Sequence, residues 1–466
     1  MRTAECVVVG GGPAGLAAAR TAARHGVRVL LIDENTELGG QYYRQMPAGF
    51  RALSPAAGGR ETLEGRALID EVRALPVEVQ AESVVWGIFD QRILAVSTRD
   101  RTERIEAATL VLAPGAYDRP VPFPGWTLPG VVTAGGAQNL MKAYRVLPGR
   151  RVLVAGSGPL LLVVAHYLLS GGAQVVAIAE AAHMRGLWRY AHRMLRHLNV
   201  VQQGYRYRRE IKAAGVPFLP GYVIRRTLGK DSVVTAAIGP CDDEWRPRPG
   251  PERQWDVDAV VVGYGFLSSL ELPRLCGCEH RYQAALGGWV PVRNRDLETT
   301  VPGVFVAGDG AGVAGSAVAL AEGHYAGLNV ARRLGRLSGR AYSREANRAR
   351  ARVLRLAGFR RVLDEIYRFG PGIYTLAEET TTLCRCEEIT VGAALTATRD
   401  GAAHVNEVKA WTRAGMGRCQ GRMCGPALAH LVAAAQGSSV ADAGVFTPRP
   451  PVKPVPLEVL AAELTR

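Results

Sequence analysis

Cys6-Val7-Val8-Val9-Gly10-Gly11-Gly12-Pro13-Ala14-Gly15 is the stretch that decides how this chain folds. An apolar run leads into a glycine turn, and the alanine-rich residues after it have helical composition. A second apolar run then ends in Leu31-Ile32-Asp33-Glu34. A GxGxxG turn alone is weak, but one set between strand and helix, with an acid about 20 residues beyond, marks a dinucleotide site. Gly10 allows the tight turn, Gly12 lets backbone approach a pyrophosphate, and Gly15 lets the helix pack on the strand. Pro13 and Ala14 open the helix, whose N-terminus faces the phosphates. Asp33 is expected to accept the ribose hydroxyls, with Glu34 as the alternative. A glycine turn that holds no ligand is the competing interpretation.

Far along the chain, Thr300-Val301-Pro302-Gly303-Val304-Phe305-Val306-Ala307-Gly308-Asp309 resembles the second flavin motif of the two-dinucleotide-domain flavoproteins of the glutathione-reductase type. In that family the aspartate, here Asp309, bonds the ribitol chain of FAD, and Gly308 precedes it. The family's middle motif is matched by Thr109 to Ala113 and then Pro114-Gly115. Its Gly-Gly-Gln loop, which runs beside the pyrophosphate, is matched by Gly39-Gly40-Gln41. The resemblance implies an α/β fold with two dinucleotide-binding domains, and FAD as cofactor.

Between the flavin segments lies a second candidate βαβ unit, from Arg151 through Gly156-Ser157-Gly158-Pro159-Leu160-Leu161 to a strand, Gln174 to Ala179, that ends at Glu180. Gly156 and Gly158 suit a nucleotide turn, and Glu180 suits a ribose diol better than a 2′-phosphate. Leu161 stands where the third glycine belongs and is expected to push the helix off the strand. NAD, another adenine nucleotide, or no ligand at all are the options. Glycines and Pro159 break the apolar stretch, which argues against a membrane span.

Near the C-terminus, Cys384 and Cys386 stand in Leu-Cys-Arg-Cys-Glu-Glu, and Cys419 and Cys424 in Gly-Arg-Cys-Gln-Gly-Arg-Met-Cys-Gly. Each iron of a 2Fe-2S cluster takes two terminal thiolates, so four cysteines in two close pairs suit it. Arg385, Arg418 and Arg422 would offset thiolate charge, and Gly417, Gly421 and Gly425 would let amides approach the sulfurs. Zinc is the alternative, although Cys-x-Cys is tighter than the usual zinc knuckle. Redox-active or unligated thiols are the remaining options. Disulfide reduction is not expected, because Tyr42-Tyr43-Arg44 follows the Gly-Gly-Gln loop and no cysteine lies between Cys6 and Cys241. Cys276 and Cys278 read as ordinary thiols.

A chain of 466 residues has room for about three domains. The expected division is a split FAD domain (1–145 and 255–330), an inserted nucleotide-like domain (146–254), a helical connection (331–375), a small, mainly helical cysteine domain (376–440) and a proline-rich tail (441–466) ending in a helix over Leu457 to Leu464. A net charge of +15 would suit nucleic acid, but the basic residues are mostly arginine spread along an alanine-rich chain, and no nucleic-acid motif accompanies them. The dense run from Arg185 to Lys212 reads as a solvated face, or as a surface for an acidic partner. No signal peptide or span is evident, so a cytoplasmic location is expected.

Nearly the whole chain resembles one bacterial group: the flavoprotein A or α subunits of opine oxidases, the α subunits of D-hydroxyproline dehydrogenases, and the B subunit of hydrogen cyanide synthase. The likeness rests on the Gly10 to Gly15 turn, Gly39 to Arg44, Val260-Val261-Val262-Gly263-Tyr264-Gly265-Phe266, Gly308-Asp309, both cysteine pairs and the Arg-Pro-Pro tail. It implies that Cys384, Cys386, Cys419 and Cys424 match the ligands of a domain similar to bacterioferritin-associated ferredoxin. It also implies a heteromer, in which a subunit related to sarcosine oxidase β oxidises a secondary amine or imino acid and a small ferredoxin-like subunit can join. The expected role is an electron-transfer subunit with FAD and a 2Fe-2S cluster. The alternatives are a self-sufficient NAD(P)H-dependent reductase, or a scaffold holding an adenine nucleotide. His324, on the helix after Asp309, is expected to pack or orient rather than to act as a base.

Overall fold

Strand β1 (Arg2–Val9) is fully buried over its last four residues, Cys6 to Val9. A parallel strand covered on both faces carries continuous apolar residues rather than an alternating pattern. In the computed structural model, which describes residues 1–47, 59–99, 101–184, 187–190 and 198–464, β1 is central to the main sheet of the first of two compact units. That unit comprises Met1–Tyr117, Leu267–Arg360 and Pro448–Arg466. Helix α1 (Pro13–Arg24) follows β1, and strand β2 (Val29–Ile32) pairs parallel with it.

Strand Val77–Gln80 extends the sheet beyond β2, and strand Thr102–Leu112 lies on the other side of β1. This eleven-residue strand serves two partners along one edge. Its first half pairs antiparallel with Ile93–Ser97, and its end pairs parallel with Val304–Val306. The fork carries the strand ends of Ala113 and Ala307 to the tip of β1, where Ala113 N donates to Val9 O (2.8 Å) and Ala307 N to Leu112 O (3.1 Å).

Helix Ser316–Arg333 packs against α1 at very short range. A Cβ on Gly323 would lie 2.0 Å from Ala14 O, and one on Gly327 would lie 2.6 Å from Ala18 O. Only glycine permits that approach, so the two helices cover one face of the sheet as a tight pair with Leu16, Ala18 and Leu328 in the core. Val7, Leu30, Leu94 and Val304 form a separate core on the other face.

The second unit comprises Asp118–Phe266 and Arg361–Thr447. Its parallel sheet runs in the order Phe218–Pro220, Gln174–Glu180, Arg151–Gly156, Ala259–Gly263 and Val131–Thr133. An antiparallel sheet of Tyr222–Leu228, Thr235–Pro240 and Arg253–Asp256 accompanies it. The cysteine region consists of a two-stranded ladder, Thr382–Cys384 with Ile389–Thr390, followed by helices Val391–Arg399, Val405–Thr412 and Gly425–Gln436. It does not stand apart: Leu383, Val405 and Leu428 share one hydrophobic core with Leu153, Ala155 and Ile238. Trp126 Nε1 also donates to Thr382 O (2.7 Å).

The proline-rich tail divides between the units. Val440–Ala443 is helical and Phe446 is buried in the second unit, whereas residues from Pro448 onward belong to the first. There Val452 N donates to Trp86 O (2.8 Å), and Thr102 Oγ1 donates to the carbonyl of Val459 in helix Leu457–Leu464 (3.0 Å). Of the basic run, Arg185, Arg193 and Arg196 lie outside the described residues, and helix Leu198–Ala213 holds its end. Among the described residues, no helix is long and apolar enough to cross a membrane.

Candidate functional site

The glycines of the first turn are fixed by contacts that no side chain could share. A Cβ on Gly10, where φ is +102°, would lie 2.3 Å from Ala113 O, and one on Gly15 would lie 1.8 Å from Gly10 O. The loop at Gly39-Gly40-Gln41 sits on this turn: Gly39 N donates to Gly11 O (2.8 Å), and Gly40 approaches the Gly12 Cα. Gln41 is exposed. Gly12 is the N-cap of α1 with Pro13 at the helix start, and no side chain caps the helix, so its first amides stay open to an anion.

Asp33 is 6% exposed and holds the turn. Its Oδ2 accepts from Gly11 N (2.5 Å), and its Oδ1 accepts from Asn35 N (2.7 Å) and Asn35 Nδ2 (2.8 Å). A carboxylate offers about four acceptor positions, so these three donors leave room for a ribose hydroxyl. Glu34 points elsewhere for its partner and forms an ion pair with Lys453 of the tail.

The second flavin segment meets the same turn. Gly308 (φ +73°) lies against Ala14, and Gly310 lies against Pro114 beside Gly115. Asp309 Oδ1 accepts from Ala314 N (2.9 Å) and Gly315 N (2.8 Å), at the N-terminus of helix Ser316–Arg333. Its Oδ2 accepts no bond among the described residues and is free to meet a ligand hydroxyl. Burial pushes the Asp309 carboxyl above its ordinary value, against the two backbone bonds. The residues named from the sequence as Gly10, Gly12, Pro13, Ala14, Gly15, Asp33, Gly39, Gly40, Ala113, Gly115, Gly308 and Asp309 thus converge on one cradle, and its open amides, acceptors and glycine surfaces fit a dinucleotide cofactor.

Glu322 was not legible in the sequence as part of this cradle. Its Oε2 accepts from Gly308 N (2.9 Å), and both its oxygens pair with Arg293 at 2.9 and 3.0 Å. Arg293 also donates to Val306 O (2.8 Å), so one buried ion pair fixes the strand end and the turn that presents Asp309. His324 Nδ1 lies 2.9 Å from Thr21 Oγ1 of α1, and burial pushes its imidazole below the ordinary value. Cys276 and Cys278 are both buried in the core of this unit, where they hydrogen-bond each other and Cys278 Sγ donates to Thr299 Oγ1 (3.3 Å).

In the second unit, Gly156 and Gly158 form the corresponding turn. Leu161 does not stand in open space but packs, 1% exposed, against Gly263 of the neighbouring strand; a Cβ on Gly263 would meet Leu161 Cδ2 at 3.3 Å. The room missing at the third glycine position is supplied by a glycine about a hundred residues later. Glu180 is 1% exposed, accepts from Gly158 N (3.1 Å) and Ala182 N (3.0 Å), and burial pushes its carboxyl up to about 7. An acid whose folded pKa is raised stabilises the fold fully below its unfolded value, and that contribution is lost as pH rises through the folded one. Glu180→Gln is therefore expected to cancel a fall in stability, on the order of a few kcal/mol between about pH 4.5 and 7, that the parent chain shows. Urea unfolding of both proteins across that range measures the difference, and parallel curves would refute it.

The four C-terminal cysteines come together, but not as their sequence neighbours suggest. Cys384 hydrogen-bonds Cys424, and Cys386 hydrogen-bonds Cys419. The bond from Cys424 holds the Cys384 thiol at about 5 against its burial, helped by the backbone N–H groups of Gly415, Glu387 and Cys386. The shared proton and burial push Cys424 well above its ordinary value, and burial raises Cys386. Among the described residues, no three His, Cys, Asp or Glu side chains converge as a preassembled metal site. Glycines explain how the loops close. Gly417 lies against Cys386, where its Cβ would fall 2.2 Å from the Cys386 Cβ. Gly415, Gly421 and Gly425 all lie against the ring of Phe446, with would-be Cβ contacts of 2.7, 2.1 and 3.1 Å.

Residues 4–335 match the family described as pyridine nucleotide-disulphide oxidoreductase, and residues 379–464 match the sarcosine oxidase A3 domain. The A subunit of opine oxidase from Rhizobium meliloti (strain 1021) is 34% identical over 463 residues, covering 98% of each chain. Hydrogen cyanide synthase subunit HcnB of Pseudomonas aeruginosa is 33% identical over 458 residues, covering 97% of each. Among solved structures, L-proline dehydrogenase from P. horikoshii shares the fold, with a TM-score of 0.68 at 20% identity over 98% of this chain and 79% of that one. On the family match and these full-length relatives, the chain belongs to the pyridine nucleotide-disulphide oxidoreductase family and is a homologue of the opine oxidase A subunit and of hydrogen cyanide synthase subunit HcnB.

Proposed function

We propose that this chain is the electron-transfer subunit of a heteromeric oxidoreductase that binds FAD and a 2Fe-2S cluster, and that a separate flavoprotein subunit oxidises a secondary amine or imino acid. Its relatives are named as subunits, which supports a divided enzyme. When bound, a flavin and an iron-sulfur cluster together supply a change from two-electron to one-electron transfer. The chain's own residues would hold these groups. The Gly10 to Gly15 turn and the amides of α1 would take the pyrophosphate, Asp33 a ribose hydroxyl and Asp309 Oδ2 a ribitol hydroxyl. Cys384, Cys386, Cys419 and Cys424 would take the metal.

The observation that carries the proposal is the arrangement of thiols. The four thiols come together as two hydrogen-bonded pairs, Cys384 with Cys424 and Cys386 with Cys419, and two pairs suit two irons that each take two thiolates. Three backbone N–H groups aimed at Cys384 favour its thiolate, the form in which a cysteine ligates metal. Tyr42 and Tyr43 stand after the Gly-Gly-Gln loop, where the disulfide-reducing members of this fold class carry cysteines.

The test is iron, sulfide and flavin analysis of the anaerobically purified chain, with its absorption spectrum recorded before and after NADH. About two irons per chain, with flavin that NADH does not bleach, is the expected result. Zinc in place of iron would overturn the proposal. Rapid bleaching would favour a second possibility, an NADH-dependent reductase, which the Glu180 acceptor beside the Gly156-Gly158 turn supports.

A further inference from the structure

The cysteine site is asymmetric. Cys384 and Cys424 are buried, Cys386 is exposed and Cys419 is half-buried, so one thiol pair faces inward and the other faces solvent. The rim of the outward pair is both charged and apolar. Arg385 and Arg418 are exposed and carry no carboxylate partner among the described residues, and the Arg385 guanidinium lies over the Trp126 ring, 5.6 Å from its centroid. Of the two carboxylates after Cys386, Glu387 is held by Arg413 Nε (3.0 Å) and Glu388 is exposed, so Arg385, Arg413 and Arg418 outnumber the carboxylates of the rim. Met416 and Trp411, large side chains at 38% and 56% exposure, stand on either side of Arg413 in sequence. Gly417 keeps the surface low directly beside Cys386.

Resting on the proposal of a metal cluster at these cysteines, we infer that this rim is a docking surface for an acidic protein electron carrier. Arginine, tryptophan and methionine are the residues enriched at interfaces, and redox encounters are among the smallest of them, so a patch of this size suffices. Exposed arginines without carboxylate partners around an exposed ligand pair attract a carrier with carboxylates around its own centre and steer it into register. A second copy of this chain would meet like charge there, in a molecule that carries +15 overall.

The full-length protein is titrated with a plant-type 2Fe-2S ferredoxin, which is acidic, and with cytochrome c, which is basic. Iron and sulfide are assayed on every sample. The expected result is ferredoxin binding that weakens about tenfold or more from low to high salt and weakens similarly in Arg418→Glu, with no comparable binding of cytochrome c. Trp411→Glu lies outside the cysteine loops and keeps the test readable if Arg418→Glu sheds metal. Equal ferredoxin binding by parent and variants would overturn the inference, as would preference for cytochrome c. So would self-association of the parent that either variant abolishes, because the rim would then be covered by a second copy. The two proposals fail separately. Charge-dependent ferredoxin binding by a chain without iron would sink the cluster and leave the surface standing. A chain that holds iron but shows no charge-dependent binding would sink the surface alone.

Discussion

Glu322→Ala is expected to unfold the first unit at lower urea and to strip the chain of flavin. The substitution leaves the Arg293 guanidinium without its carboxylate in a site where its side chain is only 18% exposed, and it removes the acceptor for Gly308 N. Breaking a buried pair from one side costs about 3–5 kcal/mol, because the surviving charge is stranded. The loss falls on the turn that presents Asp309, so cofactor retention and stability should decline together. Flavin per chain and the urea midpoint measure the two effects. An apolar replacement of both partners, Glu322→Met with Arg293→Met, should cost less than the single change, since no charge is then stranded. A single variant within about 1 kcal/mol of the parent and fully loaded with flavin would show that the pair does not hold the turn.

Why this pair escaped the sequence, when the cradle around it did not, has a physical reason. The glycine turn is legible because its function is local: Gly10, Gly12 and Gly15 answer to steric demands set by a strand and helix that adjoin them in the chain. Asp309 is legible for the same reason, as the end of a strand with a fixed motif. Glu322 and Arg293 are ordinary charged residues whose meaning lies in meeting each other and Gly308 across two elements. Leu161 illustrates the converse. The local rule marks it as a defect, and the compensating Gly263 belongs to a different strand. The cross-pairing of the cysteines is likewise tertiary, since Cys384 finds Cys424 rather than Cys386. Composition marks 441–466 as one proline-rich tail ending in a helix, but burial of Phe446 in one unit and of Val452 in the other divides it.

Phe446→Ala is expected to loosen the cysteine loops and to cost about 3–5 kcal/mol, the usual range for truncating a buried phenylalanine. The ring is 8% exposed and is the surface on which Gly415, Gly421 and Gly425 rest, so its removal leaves a cavity among the segments that carry Cys419 and Cys424. With the proposed cluster bound, iron and sulfide content should fall well before the rest of the chain unfolds, because the loops lose their support while the shared core of Leu153 and Leu428 stays intact. Gly421→Ala provides the complementary experiment. Its Cβ would lie 2.1 Å from Phe446 Cδ2, and the residue sits at φ +83°. In the parent the variant therefore suffers both a clash and backbone strain. In the Phe446→Ala background the ring is gone, and only the strain of about 1–2 kcal/mol remains. The two changes should thus combine to less than their sum, by an amount that a double-mutant cycle isolates. Additive effects would mean that the ring does not brace Gly421, and a Phe446→Ala protein with undiminished iron would mean that the loops hold their shape without it.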